Sequence, residues 1–292
     1  MSFEKPEDLG PLIVAGKVKE VYEVEGNTNQ VYIHSTDKAT AGDGERKAVV
    51  TGKSLATWEM SSRLMDYLNK KGFKTGYIDS PLPGYIRSHK LDMAALEVIG
   101  RKVITGSAVR KFGLPDGIVM NTAIMEYNWK NDDEHDPVLP VELRPIIQAT
   151  YGDNSFRERF PALPDSNELG QFIETGRVMG EKLYMLFREH GLLFCDWKTE
   201  PGYSTEVGKW MIGDWFTPDE FRLRKMEGIE TVGYETPFSR TRITNLGALG
   251  KLDKQVFRDG GSVEETSRIY GEALKVFREV FEEYGNFGCE LP

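Results

Sequence analysis

The sequence predicts a mixed fold of strands and helices, arranged as about two domains or as one large α/β unit. Its 292 residues are about twice the roughly 150 residues of a typical domain. Hydrophobic residues make up 39% of the chain, which can build a sizeable core and argues against disorder. Strand-like and helix-like periodicities both occur along the chain, so neither an all-helical nor an all-strand fold is expected.

The first third of the chain is predicted to form strands and then a helix. A strand-like pattern extends over residues 11–34, with Gly26 marking the turn of a hairpin. Apolar residues then recur at helical spacing over residues 53–71, and Gly72 stands where a helix C-cap is expected. A helix therefore follows the first sheet.

Proline and glycine punctuate residues 80–92, just before a strand-like stretch over residues 91–104. Such residues favour loops between domains. We therefore predict two domains, 1–92 and 93–292.

Two helices are predicted in the second half of the chain. An apolar stripe from Leu169 to Phe187 indicates a helix that ends before Gly191. Ser262 and Glu265 form a capping box that opens a C-terminal helix. The apolar faces of both helices are typical of core packing.

Composition excludes several classes of function. With 37 basic and 46 acidic side chains, the net charge is −9, which argues against sequence-independent binding of nucleic acids. Two cysteines cannot staple a scaffold of this size, and four dispersed histidines argue against a zinc site. The chain shows neither a signal peptide nor a long apolar run, so we expect no membrane partner and a cytoplasmic location.

The most informative segment follows the apolar strand that begins at Leu192. Alternation along that strand places Asp196, Lys198 and Glu200 on one face. A hairpin centred near residue 207 would then set Glu200 across from Asp214. Two carboxylates beside a lysine suit Mg²⁺ that carries nucleotide phosphates, although a solvated charged hairpin would show the same pattern.

The stretch from Thr217 to Glu220 has the residues of a helix N-terminus, with proline at the first helical position. A helix start is therefore predicted there. Arg222 in its first turns would make this terminus an anion site.

Two glycine-containing segments have features of phosphate-binding loops. Gly52 and the lysine and serine after it resemble the end of a Walker A loop, but the preceding Gly44 is too distant, so we reject that interpretation. Gly16 opens a hairpin segment in which Lys17 and Lys19 would share one strand face and reach phosphates. Alternating lysines also mark solvated faces.

Two polar segments, residues 36–46 and 130–137, are rich in turn formers and acids. Taken singly, each has the composition of an exposed loop. Their interest lies in occurring together with the segments above.

In this order, the segments resemble the SAICAR synthetase (phosphoribosylaminoimidazole-succinocarboxamide synthase) family from Gly16 to Arg258. Seven family patterns recur, GKxKxVY, DKxSAxDG, VRNxxxGS, KNDxxxDP, DFKxEFG, DExxPDxxR and DKxxFR. They fall on Gly16, Lys17, Lys19, Val21 and Tyr22; Asp37, Lys38, Thr40, Ala41, Asp43 and Gly44; Arg101, Gly106 and Ser107; Lys130, Asn131, Asp132, Asp136 and Pro137; Asp196, Lys198, Glu200 and Gly202; Asp214, Pro218, Asp219 and Arg222; and Asp253, Lys254, Phe257 and Arg258.

The resemblance implies an α+β fold, with a small antiparallel N-terminal domain, a larger domain related to ATP-grasp ligases, and ATP in the cleft between them. It implies a ligase of purine biosynthesis that uses ATP and Mg²⁺ to join aspartate to carboxyaminoimidazole ribonucleotide through an acyl phosphate. The implied partners are therefore small-molecule substrates, and homo-oligomerisation is left open.

The resemblance also assigns roles to individual residues. The implied catalytic residues are Lys198, Asp196, Lys130 and Asp136; the nucleotide-binding residues are Gly16, Lys17, Lys19 and Lys130; the substrate-binding residues are Asp43, Arg101, Ser107, Asp132, Lys198, Asp219, Arg222 and Arg258; and the metal ligands are Glu200 and Asp214.

Three positions depart from the family patterns, and we expect all of them near the substrate pocket. Lys102 replaces the asparagine after the arginine, Trp215 replaces an acid, and Phe221 with its neighbour Glu220 replaces small residues. Two alternatives therefore stay open, a ligase of the same fold with another amine or carboxylate, and a non-catalytic protein that binds purine ribonucleotides. The acid pair Glu200 and Asp214 favours catalysis, since a pure binder does not need metal ligands.

Overall fold

The computed structural model describes residues 3–41, 45–130, 138 and 166–289, apart from the side chains of residues 166, 167 and 169. The chain forms two compact units. Unit 1 comprises Met1–Ala94, Glu200–Asp219 and Lys254–Pro292. Unit 2 comprises Ala95–Thr199 and Glu220–Asp253.

These units differ from a single cut after residue 92. The chain first changes unit after Ala94, and it returns to unit 1 twice, over Glu200–Asp219 and Lys254–Pro292. The glycine and proline that suggested a boundary form a tight turn within unit 1 instead, with Gly84 at φ 84°. Local turn residues cannot distinguish a hairpin from a linker, because that depends on what the flanking strands pair with.

The described residues of unit 1 form three antiparallel sheets. The five-stranded sheet has the order β1-β2-β3-β7-β6. Its strands are β1 (Leu9–Ala15), β2 (Lys19–Val24), β3 (Asn27–Ser35), β6 (Tyr77–Leu82) and β7 (Tyr85–His89). The smaller sheets pair β4 (Lys38–Ala41) with β5 (Arg46–Val49), and β13 (Lys209–Ile212) and β8 (Asp92–Met93) with the central β12 (Pro201–Ser204).

Three helices complete the described part of unit 1, namely α1 (Lys53–Lys70), α4 (Gln255–Arg258) and α5 (Val263–Val280). The helix α1 packs against α5. The predicted capping box is confirmed, since the Ser262 hydroxyl accepts a hydrogen bond of 3.1 Å from the Glu265 backbone N–H. The predicted hairpin at Gly26 and the predicted helix over residues 53–71 are likewise confirmed.

In unit 2, the residues that the structure describes form one antiparallel sheet of six strands in the order β14-β11-β9-β10-β16-β15. These are β9 (Leu96–Val103), β10 (Ile118–Trp129), β11 (Leu192–Thr199), β14 (Phe221–Lys225), β15 (Thr231–Thr236) and β16 (Ser239–Ile243). The short α2 (Ser107–Phe112), the long α3 (Ser166–Glu189) and a 3₁₀ turn (Leu246–Ala248) accompany it.

Close packing of α3 on the sheet of unit 2 depends on two glycines. A Cβ atom at Gly100 on β9 or at Gly180 on α3 would lie about 2 Å from the Trp197 indole. The fully buried Trp197 ring therefore fills space that any larger residue at either position would take. As predicted, α3 ends just before Gly191, which adopts φ 71°.

Two predicted elements differ in the structure. The stretch 91–104 is two strands, β8 and β9, which belong to different units. The prediction that a helix starts at Thr217 is wrong. Thr217 accepts a hydrogen bond of 3.2 Å from the Asp219 N–H in a turn, and the chain then enters β14 because Phe221–Lys225 pairs with β11. The corresponding helix-terminus anion site does not exist.

No described helix is long and apolar enough to cross a membrane.

Candidate functional site

The predicted site residues of unit 2 meet on three adjacent strands. Asp196 on β11 lies directly across from Arg101 on β9 and from Arg222 on β14. Its Oδ2 accepts a hydrogen bond from Arg222 Nη1 and lies 3.6 Å from Arg101 Nη1. One carboxylate thus holds two guanidinium groups beside each other, because cross-strand neighbours face the same side of a sheet.

Arg101 extends this group of side chains. Its Nη2 lies 3.4 Å from the Ser107 hydroxyl, and its Nε donates to Glu126 on β10. Lys111 on α2 donates to the same Glu126 carboxylate. We call these six residues the Asp196 cluster: Arg101, Ser107, Lys111, Glu126, Asp196 and Arg222.

Glu126 and Lys111 were missed by sequence reasoning. The available signal was an acid in the middle of the apolar strand β10, a position where a carboxylate needs a buried partner. The partners could not be read from the sequence, because Arg101 and Glu126 are adjacent only through the register of β9 and β10.

The Asp196 cluster has a buried floor and a solvent-facing side. Arg101, Glu126 and Asp196 are buried, whereas Ser107 and Lys111 are exposed. Three cations face two carboxylates, which leaves one positive charge in excess. Burial works against the charged form of Arg222, but the carboxylates of Asp196 and Asp253 outweigh it and raise the pKa of that guanidinium. The cluster can therefore bind a phosphate or carboxylate.

Lys198 lies on the same face of β11 as Asp196, as predicted from the alternation of strand side chains. Its Nζ is 2.9 Å from the Glu97 carboxylate. Glu200 does not extend this face, because β11 ends at Thr199 and Glu200 belongs to unit 1.

Gly106 provides a direct test of the Asp196 cluster. It adopts φ 59°, and a Cβ atom there would lie 2.6 Å from Arg222 Nη2. We expect Gly106→Ala to displace the Arg222 guanidinium and weaken binding of an anionic ligand by about tenfold. Gly113→Ala is the matched control in an affinity measurement, since Gly113 has φ 63° with nothing within 4 Å. Equal affinities in both variants would contradict the role of Arg222.

The predicted hairpin of unit 1 is confirmed, but its register differs by one residue. Strands β12 and β13 pair so that Gly213, not Asp214, donates its N–H to the Glu200 carbonyl at 2.9 Å. The prediction that Glu200 stands across from Asp214 is therefore wrong by one position. Turn length sets the register of a hairpin, and the sequence left that length open.

Lys19 connects this hairpin to the five-stranded sheet. Its Nζ lies 2.5 Å from Asp214 Oδ1, so a predicted nucleotide-binding lysine contacts a predicted metal ligand. Lys19 begins β2, while Gly16 and Lys17 form the turn after β1, closed by a 2.7 Å hydrogen bond from the Gly16 N–H to the Lys19 carbonyl. The prediction that both lysines share a strand face is therefore wrong, because Lys17 lies in the turn.

Asp219 is engaged inside unit 1. Its Oδ2 is 2.7 Å from Lys53 Nζ, its Oδ1 accepts the Tyr270 hydroxyl, and the side chains of Lys53 and Asp219 are only 1% and 5% exposed. Burial would raise the pKa of Asp219, but the ammonium groups of Lys53 and Lys254 outweigh it and hold that pKa well below its usual range. These contacts fit an internal ion pair better than the predicted substrate-binding role.

Lys53 and Ser54 begin α1. The Asp37 carboxylate accepts hydrogen bonds from the Ser54 N–H at 2.8 Å and from the Ser54 hydroxyl at 2.7 Å. A carboxylate therefore caps this helix at the place where a phosphate would bind in a Walker A loop.

Two of the three departures from the family patterns pack away from the Asp196 cluster. Lys102 and Phe221 follow and precede Arg101 and Arg222 on their strands, so they face the other side of the sheet. Lys102 Nζ contacts the Glu181 carboxylate at 2.6 Å, and the Phe221 ring packs in the core 5.4 Å from the Phe194 ring. The expectation that they lie at the substrate pocket does not agree with these contacts.

The other residues with a predicted role lie apart from the contacts described above or outside the described residues. Arg258 is exposed at the end of α4 in unit 1, and Lys130 is exposed after β10 in unit 2. Asp43, Asp132 and Asp136 lie outside the described residues.

Within residues 3–41, 45–130 and 166–289, no group of three or more histidine, cysteine or acidic side chains is arranged to hold a metal. Glu200 and Asp214 instead supply two carboxylates. They come from opposite sides of the hairpin, and Asp214 is one residue beyond the position that pairs with Glu200. Such a pair fits Mg²⁺, which takes one or two protein carboxylates and completes its shell with phosphate and water.

Cys195 is no candidate nucleophile, because burial raises the pKa of its thiol.

Comparison with known proteins gives consistent similarities. The family model described as SAICAR synthetase matches residues 12–274. A phosphoribosylaminoimidazole-succinocarboxamide synthase from Methanobrevibacter smithii is 32% identical over 253 residues, covering 87% of this chain and 89% of that protein. One from Streptococcus pneumoniae serotype 2 is 29% identical over 265 residues, covering 90% and 97%. A solved structure described as SAICAR synthetase (Type-2) in complex with ADP has a TM-score of 0.72 at 25% identity, covering 95% of this chain and 100% of that one.

Proposed function

Because the chain belongs to the SAICAR synthetase family, we propose that it joins aspartate to carboxyaminoimidazole ribonucleotide in an ATP-dependent reaction of purine biosynthesis. The products are SAICAR, ADP and phosphate. The observation that carries this proposal is the Asp196 cluster. Two guanidinium groups and a hydroxyl lie close together in it, and the cluster as a whole has one positive charge in excess. Such a cluster suits an anionic ribonucleotide, and it reconciles an acidic protein with an anionic substrate.

The chemistry requires activation of a carboxylate. A carboxylate is a poor acyl donor because its leaving group would be oxide. Transfer of the ATP γ-phosphoryl group to a carboxylate oxygen releases ADP and gives an acyl phosphate. The amine of aspartate then attacks the acyl carbon, loses a proton and displaces phosphate, which forms the amide.

In this proposal the Asp196 cluster binds the ribonucleotide. Arg101 and Arg222 present planar guanidinium groups to its phosphate or carboxylate, and the Ser107 hydroxyl donates a hydrogen bond to it. Asp196 contacts both guanidinium groups, so a positioning role fits it better than the predicted catalytic role. Lys198, on the same face of β11, would balance the charge that develops on the reacting carboxylate.

Nucleotide binding is assigned to unit 1. Lys19 would contact ATP phosphates, with Gly16 and Lys17 in the turn before it. Glu200 and Asp214 would hold Mg²⁺, which when bound neutralises charge on the phosphoryl group being transferred. Lys19 already contacts Asp214, which supports a shared function of these two residues.

The proposal also includes several predictions implied by the family resemblance. They are the roles of Lys130, Asp136, Asp43, Asp132 and Arg258, the relation of the larger domain to ATP-grasp ligases, the implied location of the nucleotide, and a cytoplasmic location of the protein.

A direct assay tests the proposed function. Purified protein is incubated with ATP, Mg²⁺, carboxyaminoimidazole ribonucleotide and aspartate, and ADP and product mass are measured. We expect SAICAR and one ADP per product. Product formation with another amine alone would favour a different ligase, and binding without turnover would favour a purine-ribonucleotide-binding protein.

Removal of either proposed metal ligand should abolish ADP formation. We expect Glu200→Gln and Asp214→Asn each to lower kcat by about 100-fold or more, since several kcal/mol of charge stabilisation would be lost. The measurement is the rate of ADP release at saturating substrates. Glu279→Gln, at an exposed position of α5, is the control and should retain the wild-type rate. Near-normal turnover in both site variants would refute the metal assignment.

A further inference from the structure

Trp215 follows the proposed metal ligand Asp214 and is 2% exposed. Its ring centroid lies 5.5 Å from Lys19 Nζ. The same ammonium lies 2.5 Å from Asp214 Oδ1, and the Trp215 backbone N–H donates a hydrogen bond of 2.8 Å to that oxygen. The Lys19 ammonium is therefore held between a carboxylate and an indole ring.

These contacts favour a single position of the Lys19 side chain. The face of an indole ring attracts an ammonium group within about 6 Å, most strongly where water is excluded. The Lys19 side chain is only 17% exposed, so little solvent screens the contact. A long flexible lysine would otherwise lose much rotamer entropy on binding a phosphate.

We infer that Trp215 is a positioning residue that holds the Lys19 ammonium in place for the phosphates of the nucleotide. This inference rests on the proposed function, in which Lys19 binds ATP. An acid at position 215, as in the family pattern, would add a second negative charge and bind the ammonium itself. The indole attracts the ammonium without adding a second negative charge beside Asp214, so it competes less with phosphate for the charge of Lys19.

A positioning role of Trp215 differs from the alternative role, in which Trp215 changes the amine substrate. An amine-specificity residue should alter the KM for aspartate. A residue that acts through Lys19 should alter nucleotide affinity instead and leave the KM for aspartate unchanged. The two roles are therefore distinguishable by which substrate constant changes.

The experiment measures ADP affinity by calorimetry, with Mg²⁺ and with EDTA, together with the KM values for ATP and aspartate. Trp215→Leu removes the ring and is expected to weaken ADP binding by about 3- to 30-fold. Trp215→Phe keeps an aromatic face and should stay within about threefold of wild type. Because the indole acts through Lys19 and not through the metal, the loss should be the same with EDTA.

A double-mutant cycle identifies the partner. With Lys19→Met already present, Trp215→Leu should cause no further loss of ADP affinity, because the group that the ring positions is gone. If Trp215→Leu does not fold, Trp215→Met replaces it in the same cycle. Midpoints of thermal unfolding are measured to confirm that each variant is folded.

Each other outcome overturns the inference in a distinct way. Wild-type ADP affinity in folded Trp215→Leu, or a loss that persists with Lys19→Met, removes the role of Trp215 while the ligase assay still supports the proposed function. A rise confined to the KM for aspartate does the same and favours amine selection. A wild-type protein that binds neither ATP nor ADP refutes both the inference and the proposed function.

Discussion

Replacing Asp219 by asparagine is expected to lower the free energy of unfolding by about 3–5 kcal/mol, the usual result of breaking a buried ion pair. The Lys53 side chain is 1% exposed and its ammonium lies 2.7 Å from the Asp219 carboxylate. Without that carboxylate, a buried positive charge loses its counter-charge, and the Tyr270 hydroxyl donates to a neutral oxygen instead of a charged one. Urea-induced unfolding at pH 7 measures the effect.

The effect of Asp219→Asn should depend on pH. The pKa of Asp219 is lowered in the folded protein, so its charged form stabilises the fold above the unfolded pKa of about 3.9. That stabilisation is lost as the pH falls through the lower folded pKa. The difference in unfolding free energy between wild type and Asp219→Asn should therefore be largest near neutral pH and shrink below about pH 4.

Two controls separate burial from charge loss. Glu272→Gln breaks an exposed ion pair with Arg268 on α5, the helix that carries Tyr270, and should cost no more than about 0.5 kcal/mol. Replacing Lys53 and Asp219 together by Met and Leu should recover part of the loss, since an apolar pair leaves no buried charge. If Asp219→Asn costs no more than Glu272→Gln, the buried ion pair is not a stabilising element.

Arg222→Lys is expected to raise the KM for the ribonucleotide by about 10- to 100-fold while the KM for ATP changes by less than about twofold. Lysine keeps the charge but loses the planar fork that contacts Asp196 and faces the anion. Loss of a charge-assisted hydrogen bond costs about 1.5–3 kcal/mol, which corresponds to this range. Steady-state kinetics with each substrate varied in turn measure both constants.

Arg240→Lys is the matched control for this substitution. Arg240 is an exposed arginine on β16 of the same sheet, and its replacement should leave both KM values unchanged. Equal rises in the two KM values of Arg222→Lys would indicate general damage to the enzyme and would argue against a ribonucleotide site at the Asp196 cluster.

Sequence patterns were most informative where structure depends on near neighbours. The periodicity of α1 and the capping box of α5 depend on residues three or four positions apart, and both are present in the structure. The alternation along β11 correctly placed Asp196 and Lys198 on one face. The ordered motifs likewise identified the family over most of the chain.

The same local reasoning was wrong where a longer-range pairing competed with it. Thr217 and Pro218 have helix-start chemistry, yet the chain enters β14 at Phe221 because the backbone of that segment pairs with β11. Helix-capping residues also close turns, so the pattern alone cannot decide between the two.

Periodicity and motif order are therefore enough to predict the mixture of helices and strands, the family and the charged residues of the motifs. Which of those charges lie in contact depends on the tertiary structure. Asp219 was expected at the substrate but pairs with Lys53, and Glu126 joined the site although no motif contained it. The reason is physical: propensity and capping act within one turn or hairpin, whereas the partner of a buried charge is set by strand register and burial between distant segments.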